Sequence, residues 1–566
     1  MSAQETRFDL PGFSLPLNHE PEIDPFPNAL DPQHVENDQF GRFDTQREIV
    51  MRQIINSIID KPEWHHKVFD DEITTKWRQE VAVSGRDVSP KMMDWVIREL
   101  QWKAEHLDKT GMIMVYDTGV VISDTAISPE LQQELRSAVS PLEMNPKKDY
   151  HPGSDEKVVD LVHPSLFPVI YGRSRILPDQ LMGLDDCLNH VGEGQLLPSP
   201  SGNDWTQGGI NLDCYSKKFQ WMPCDIEFTK DGGCRIVSYI NNLQPKRNRP
   251  LYQVIEKIIA QTIPLWGITL SNIDNDKHRI SCSSIQYDED EPQSPSSASE
   301  SDWEEQLRIV QPEPEEFNPK VVVPEDEVNL REEFTEGLQI IVKLANIELT
   351  PEKPEYNGGS WHVEGALNEH ICATAIYYYD SENITDSSLA FRQRAYREHF
   401  NEISYQQDRF EFLQTVFGFS EDVNGRGDCQ VTQEIGGVST KEGRLLTFPN
   451  ILQHRVSPFA LADASKPGHR KILAFFLVDP NQRIISSANV PPQSEDWWEE
   501  KRDIIFKALP RLPLELQDMV MRHVDVGHIT MEEAFQYRLE LMEERTSRSN
   551  INNELFETAD FSLCEH

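Results

Sequence analysis

His362 and Glu364 stand two residues apart in the stretch Ser360-Trp361-His362-Val363-Glu364-Gly365, just ahead of the β-branched and aromatic run Ile371 to Tyr379. In an extended chain, residues i and i+2 point to one side, so an imidazole and a carboxylate are aimed at one point. That is most of a two-histidine, one-carboxylate facial triad, which holds Fe(II) and leaves coordination positions open. The chain has 17 His, so one His-x-Glu pair is expected by chance and the pattern needs a third ligand. His454 supplies it, after the strand-like Arg444 to Phe448 and the turn at Pro449-Asn450. Arg470 then opens a continuous apolar strand, Ile472 to Val478, which stops at Asp479-Pro480.

The residue types fit one chemistry. Two neutral imidazoles and a carboxylate (His362, Glu364 and His454) hold a ferrous ion and leave room for a chelating 2-oxo acid and O2. A 2-oxo acid such as 2-oxoglutarate has a distal carboxylate, which a buried guanidinium binds bidentately and better than an ammonium does. Arg470 is the candidate for that role, with Lys471 pointing to the opposite face of its strand. Tyr378 shares parity with Thr374 and Ile376, so its hydroxyl is aimed at the same cavity; a core tyrosine is the alternative. His163, in Asp160-Leu161-Val162-His163-Pro164, is read as structural because nothing near it is spaced like a second ligand.

Composition bounds the rest. A chain of 566 residues is long enough for several structural regions. The formal net charge of −41 argues against a general nucleic-acid or anionic-membrane binder, both of which need a basic surface. The eight Cys are scattered with no Cys-x-x-Cys, as in reduced thiols of a cytoplasmic or nuclear protein. Met1 to Arg7 has no apolar signal core, and no window approaches the apolar length of a transmembrane helix.

Along the chain, residues 1–45 read as an irregular arm. Residues 46–286 read as a helical region, with apolar stripes over Gln46 to Ile59, Pro90 to His106 and Pro250 to Leu265, and a capped helix opening at Ser128-Pro129-Glu130. A β-hairpin, Phe219 to Phe228 and Cys234 to Ile240 around Lys230-Asp231-Gly232-Gly233, extends the core sheet. Residues 287–328 are dominated by Asp, Glu, Ser and Pro and read as a disordered insertion. Residues 329–495 form the core that carries the triad, with Ser388 to Phe417 read as a helical or mixed insertion. Residues 496–566 read as helices, with the last twenty residues a tail.

These motifs carry a resemblance. Ser360 to Gly365, Tyr377-Tyr378-Tyr379-Asp380-Ser381-Glu382-Asn383-Ile384 and Gly468 to Ala474 look like the fungal family of unknown function DUF4246, as do Asp160 to Arg173 and Phe219 to Asn242. A more distant resemblance is to prolyl-hydroxylase-type Fe(II)/2-oxoglutarate oxygenases, on His362-Val363-Glu364, Ile376-Tyr377-Tyr378, His454 and Arg470. The chain departs from them in having Glu364 where Asp is commoner and in a longer His454-to-Arg470 loop. The second resemblance implies an α+β protein with a double-stranded β-helix (jelly-roll) core, Fe(II) on His362, Glu364 and His454, and 2-oxoglutarate held by Arg470 and Tyr378. The function it implies is an Fe(II)/2-oxoglutarate-dependent oxygenase, of hydroxylase type, acting on an unnamed small-molecule or protein substrate. Two other readings stay open: a catalytically silent jelly-roll scaffold, and a cupin-like metalloenzyme that does not use 2-oxoglutarate.

Overall fold

The computed structural model describes residues 8–562 apart from 37–39, 201–205, 208–209, 212–214, 273–277, 289–307, 320–326, 396–399, 401, 408, 421–422, 424–425, 499–511 and 525–527. Four of the five longest described helices start at a side-chain cap. Thr45 accepts the Glu48 N–H at the head of α1 (Gln46–Ile59), and Ser89 accepts the Met92 N–H at the head of α2 (Pro90–Thr110). Ser128 caps α3 (Pro129–Glu143), α4 spans Arg249–Leu270, and Thr530 with Glu533 forms a capping box on α5 (Met531–Glu557). Of the helices expected from apolar stripes, Gln46–Ile59 ends where expected, and the other two run on to Thr110 and Leu270.

Twelve strands build the two sheets that matter here. They are β1 (Ile113–Tyr116), β2 (Val120–Ser123), β3 (Val158–Val162), β4 (Cys224–Phe228), β5 (Cys234–Ile236) and β6 (Leu338–Leu349). They continue with β7 (Ile371–Glu382), β8 (Ser388–Arg394), β9 (Thr432–Ser439), β10 (Leu445–Pro449), β11 (Gln453–Val456) and β12 (Gly468–Val478). Nine of them form a large sheet in the order β1-β2-β10-β7-β12-β6-β4-β5, with β3 also paired to β6. The other three form a small sheet in the order β9-β8-β11, and every pairing is antiparallel. The chain is thus α+β, with helices packed against antiparallel sheets.

Burial explains why β7 reads as a continuous apolar run. Ile371 to Tyr379 are all buried, because both faces of the strand are covered. α4 lies across the outer face of β2, β7 and β10, where the Thr269 and Thr447 hydroxyls are hydrogen-bonded at 2.8 Å. The inner face meets the small sheet, with the Phe391 ring of β8 at 5.1 Å from Phe448 of β10.

Several expectations change. The stretch 46–286 is not a helical region with one hairpin: it supplies five of the nine strands of the large sheet, β1 to β5. The arm before residue 45 contains a short helix, Pro32–Glu36, and packs on the body, where the Phe26 and Ala29 N–H groups donate to Asp479 and to the Asn450 carbonyl. Part of the acidic segment is ordered: Ile309–Val310 pairs with Gln286–Tyr287, Glu313 binds Arg47, and the Phe317 ring meets Trp95 at 5.3 Å. The rest of that segment, 289–307 and 320–326, lies outside the described residues. Ser388 to Phe417 does not open as a helix but as β8, the middle strand of the small sheet. Of the expected tail, the described part is helix to Glu557 and then a strand, Thr558–Ser562, paired with Arg426–Gln430.

Candidate metal centre

Gly358 starts the local geometry. It adopts φ +87°, and a Cβ there would lie 2.7 Å from the Val456 carbonyl oxygen. This close approach lays the next residues beside β11, and Gly359 N donates to Val456 O at 2.9 Å. His362 and His454 then form an isolated antiparallel bridge. The segment turns at Gly365, φ +84°, before β7 begins. The His-x-Glu pair therefore sits in a short extended segment bridged to β11, not inside a strand of its own.

Asn450 locks the third member of the group. Its Oδ1 accepts the Glu364 N–H at 2.9 Å, and its Nδ2 donates to the Glu364 carbonyl at 3.1 Å. Its own N–H donates to Cys372 O at 2.9 Å, tying the turn to the start of β7. The sequence marks Asn450 only as part of a turn; its role depends on residues 86 positions away.

The three side chains converge. Glu364 Oε1 lies 3.8 Å from His362 Nε2 and 3.4 Å from His454 Nε2, and the imidazole centroids are 4.4 Å apart. One ligand atom from each falls within 4.8 Å of the others. Ligand bonds of about 2.1 Å at right angles put neighbouring donors about 3 Å apart, so a small inward shift closes the group on an ion. Exposure is graded, with His454 at 3%, Glu364 at 16% and His362 at 38% of the side chain. The group therefore opens to solvent on the His362 side.

Protonation favours ligation. His362 Nδ1 is 2.8 Å from the Ser360 carbonyl, which can only accept, so the proton sits on Nδ1 and the Nε2 lone pair faces Glu364. Burial pushes the His454 imidazole pKa down, helped by the neighbouring His362, which keeps that ring neutral. Burial alone would raise Glu364, but the two imidazoles that face it hold it well below the usual carboxylate range. Burial likewise acts to lower His362, and Glu364 outweighs it and raises the ring. The donors present are those a divalent cation needs.

Two other clusters have similar spacing. Asp44, Glu48 and His278 also fall within 4.8 Å, but Arg42, Arg52 and Arg279 already neutralise those carboxylates, so they form a buried ion-pair network. His151, Asp160 and His163 form the third. The sequence reading missed His151 as a neighbour of His163. There the Ser165 N–H donates to His163 Nδ1 at 3.2 Å, which leaves the neutral ring's proton on Nε2. Arg538 also lies 3.7 Å from Asp160. Of the three, only the group His362, Glu364 and His454 has no Arg or Lys already paired with its carboxylate among the described residues.

Arg470 and Tyr378 meet on the inner face of the large sheet. The Arg470 guanidinium carbon lies 5.6 Å from the Tyr378 ring and 4.8 Å from the Phe459 ring. Arg470 is 2% exposed. Its Nη1 donates to Ser387 Oγ at 3.2 Å and to Thr440 Oγ1 at 3.4 Å, and its buried Nε has no partner among the described residues. Burial lowers its pKa, and no carboxylate is among the causes. Lys471 points the other way, to Asp380 at 3.0 Å and Glu143 at 3.1 Å, as parity requires. Arg470 does not start beside the triad. It pairs with Ser381, at the far end of β7 from Ile371, where Asn450 ties the triad in.

The profile of a family described as "Protein of unknown function (DUF4246)" matches residues 90–501, and that of "Domain of unknown function DUF4246, N-terminal" matches residues 10–80. The chain belongs to the DUF4246 family. No curated protein matches it. Among solved structures, this DUF4246 chain is similar to "IDO from Bacillus thuringiensis" at 10% identity and TM-score 0.23, covering 67% of this chain and 98% of that one. It is also similar to the "Fe(II)/(alpha)ketoglutarate-dependent dioxygenase TqaL" at 10% identity and TM-score 0.20, covering 64% and 93%. At such TM-scores the likeness says nothing about where a site lies.

All five candidate residues of the DUF4246 chain lie within the matched 90–501, whereas α5 lies beyond it. α5 nonetheless packs beside the triad, against residues next to its members. Arg545 binds Glu369 at 2.8 Å and stacks 3.7 Å over Trp221, and Asn553 donates to the Trp361 carbonyl at 3.2 Å and accepts from Gln453 at 2.7 Å. Trp361 itself is flanked by the guanidinium groups of Arg455 and Arg392, at 4.3 and 4.9 Å. No described helix is long and apolar enough to cross a membrane.

Proposed function

We propose that the chain is an Fe(II)-dependent oxygenase that uses 2-oxoglutarate as cosubstrate, and that the two facing sheets are the halves of a double-stranded β-helix. The observation that supports the reading is the buried Arg470 guanidinium, which has no carboxylate partner among the described residues and lies on the face of the large sheet that packs against the two-histidine, one-carboxylate cluster. An unpaired cation in such a site favours a carboxylate ligand.

In this reading His362, Glu364 and His454 would hold the metal. A ferrous ion there supplies O2 chemistry coupled to the oxidative decarboxylation of a 2-oxo acid. The protein's part is positional. Ser360 fixes the His362 tautomer, Asn450 fixes the Glu364 backbone, and Phe448 packs on the His454 ring at 4.7 Å. Arg470 and Tyr378 hold the far end of the cosubstrate, and α5 limits access of water and substrate to the open side.

Iron stoichiometry tests the metal half. His362→Ala and His454→Ala are each expected to lose stoichiometric Fe(II) under anaerobic equilibrium dialysis while keeping the wild-type circular dichroism spectrum. A folded variant that retains the wild-type iron content removes its residue from the site.

A further inference from the structure

Register places a second cation inside the barrel. Across the three central strands of the large sheet, residues on the inner face form rows. Ile341, Phe476 and Thr374 make one row, and Lys343, Ala474 and Ile376 make the next. Ala345, Ile472 and Tyr378 follow, and then Ile347, Arg470 and Ser381. Successive rows are about 6.7 Å apart, two residues of strand rise. Phe448, which packs on the His454 ring, pairs with Thr374 and so belongs to the first row. Lys343 therefore lies one row from the triad, and Arg470 lies two rows deeper.

Lys343 is half-buried and has no hydrogen bond or ion pair among the described residues. Asp160, on the adjoining strand, is already hydrogen-bonded to His151 at 2.9 Å and lies near Arg538. The fully buried Thr374 hydroxyl also lacks a partner among the described residues. The inner face thus presents unsatisfied polar groups at two depths, a lysine and a hydroxyl near the triad and a guanidinium far from it. A buried polar group without a partner is costly, and two cations at this separation suit a ligand with an anion at each end.

We propose that Lys343 is a second anchor for the cosubstrate, binding the carboxylate next to the keto group while Arg470 binds the distal one. The assignment rests on the function proposed above. It makes the barrel interior selective for a 2-oxo dicarboxylic acid and gives the two ends of that acid separate recognising residues. Lys343 would touch the carboxylate that leaves on oxidative decarboxylation, so it is a cosubstrate-binding residue.

The test separates the two ends. Equilibrium affinities of 2-oxoglutarate and of 2-oxopentanoate, which lacks the distal carboxylate, are measured on the anaerobic Fe(II)-loaded full chain. Lys343→Met is expected to weaken both acids by a similar factor of about ten or more, the worth of one charge-assisted hydrogen bond. Lys343→Arg is expected to recover most of that loss, which a merely structural defect would not allow. Arg470→Met is expected to weaken 2-oxoglutarate and to leave 2-oxopentanoate within about twofold, well under the tenfold of 1.4 kcal/mol. If the wild type binds both acids and Lys343→Met binds them unchanged, or loses 2-oxoglutarate alone, the assignment of Lys343 is wrong and the proposed function stands. If the wild type binds neither acid, both fall.

Discussion

His362 and His454 exchange a reciprocal pair of backbone hydrogen bonds: His362 N donates to His454 O at 3.2 Å, and His454 N donates to His362 O at 2.9 Å. Two residues 92 positions apart are thereby held as a two-residue ladder, and the imidazole orientation is set by the backbone before any ion binds. Asn450 then adds Glu364 to the same frame. This is preorganisation by main-chain hydrogen bonds, which the fold pays for independently of the metal.

Arg470→Met is expected to leave the ligand-free melting temperature unchanged or to raise it, because it exchanges a buried cation without a carboxylate partner for an apolar side chain of similar length. The same variant is expected to weaken 2-oxoglutarate binding by roughly two orders of magnitude, since two charge-assisted hydrogen bonds are each worth about 1.5–3 kcal/mol. A variant that melts well below wild type with unchanged cosubstrate affinity would make Arg470 a fold residue.

Asp479 is expected to make stability depend on pH. Burial raises its pKa to about 6, even though it accepts the Phe26 N–H at 2.6 Å and the Asn481 N–H at 2.9 Å. An unfolded Asp titrates near 3.9, so between about pH 4 and about pH 6 the folded state binds more protons than the unfolded one. Stability conferred by this group is therefore present below pH 4 and is lost as pH rises to about 6, by about 2–3 kcal/mol in total. Denaturant melts of wild type and Asp479→Asn across that window check it: the difference between them should change with this slope, and parallel curves would refute it.

Arg545→Ala is expected to cost about 3 kcal/mol of stability, because it strands the fully buried Glu369 carboxylate. Adding Glu369→Gln should recover part of the loss, as expected for a directly coupled pair. A single-variant loss below about 0.5 kcal/mol, the range of an ordinary surface change, would show that α5 is not held there by this pair.

Much of this was legible in the sequence because its signals are local. The β-branched run of β7, the apolar run of β12 and the parity of Arg470 against Lys471 depend on strand period alone. β8 was not legible. Leu389 and Phe391 alternate, but Arg392, Gln393 and Arg394 look like the polar face of a helix; they are buried because Glu557, Asp44 and the Phe556 carbonyl satisfy them across the fold. α5 carries no apolar stripe that would mark its inner side. It docks through Arg538, Arg545 and Asn553, whose partners Asp149, Glu369 and Trp361 are more than a hundred residues away in the chain. Asn450 and His151 were missed for the same reason. The triad was legible because two of its members are neighbours in sequence and the third follows a strand and a turn.

Anaerobic titration of the protein with Fe(II), with and without 2-oxoglutarate, followed by visible absorption, tests the central claim most directly. A weak charge-transfer band is expected only when both are present, saturating at one equivalent of each and absent from His454→Ala. Iron binding with no band would contradict 2-oxoglutarate as the cosubstrate, and the absence of iron binding would contradict the metal centre itself.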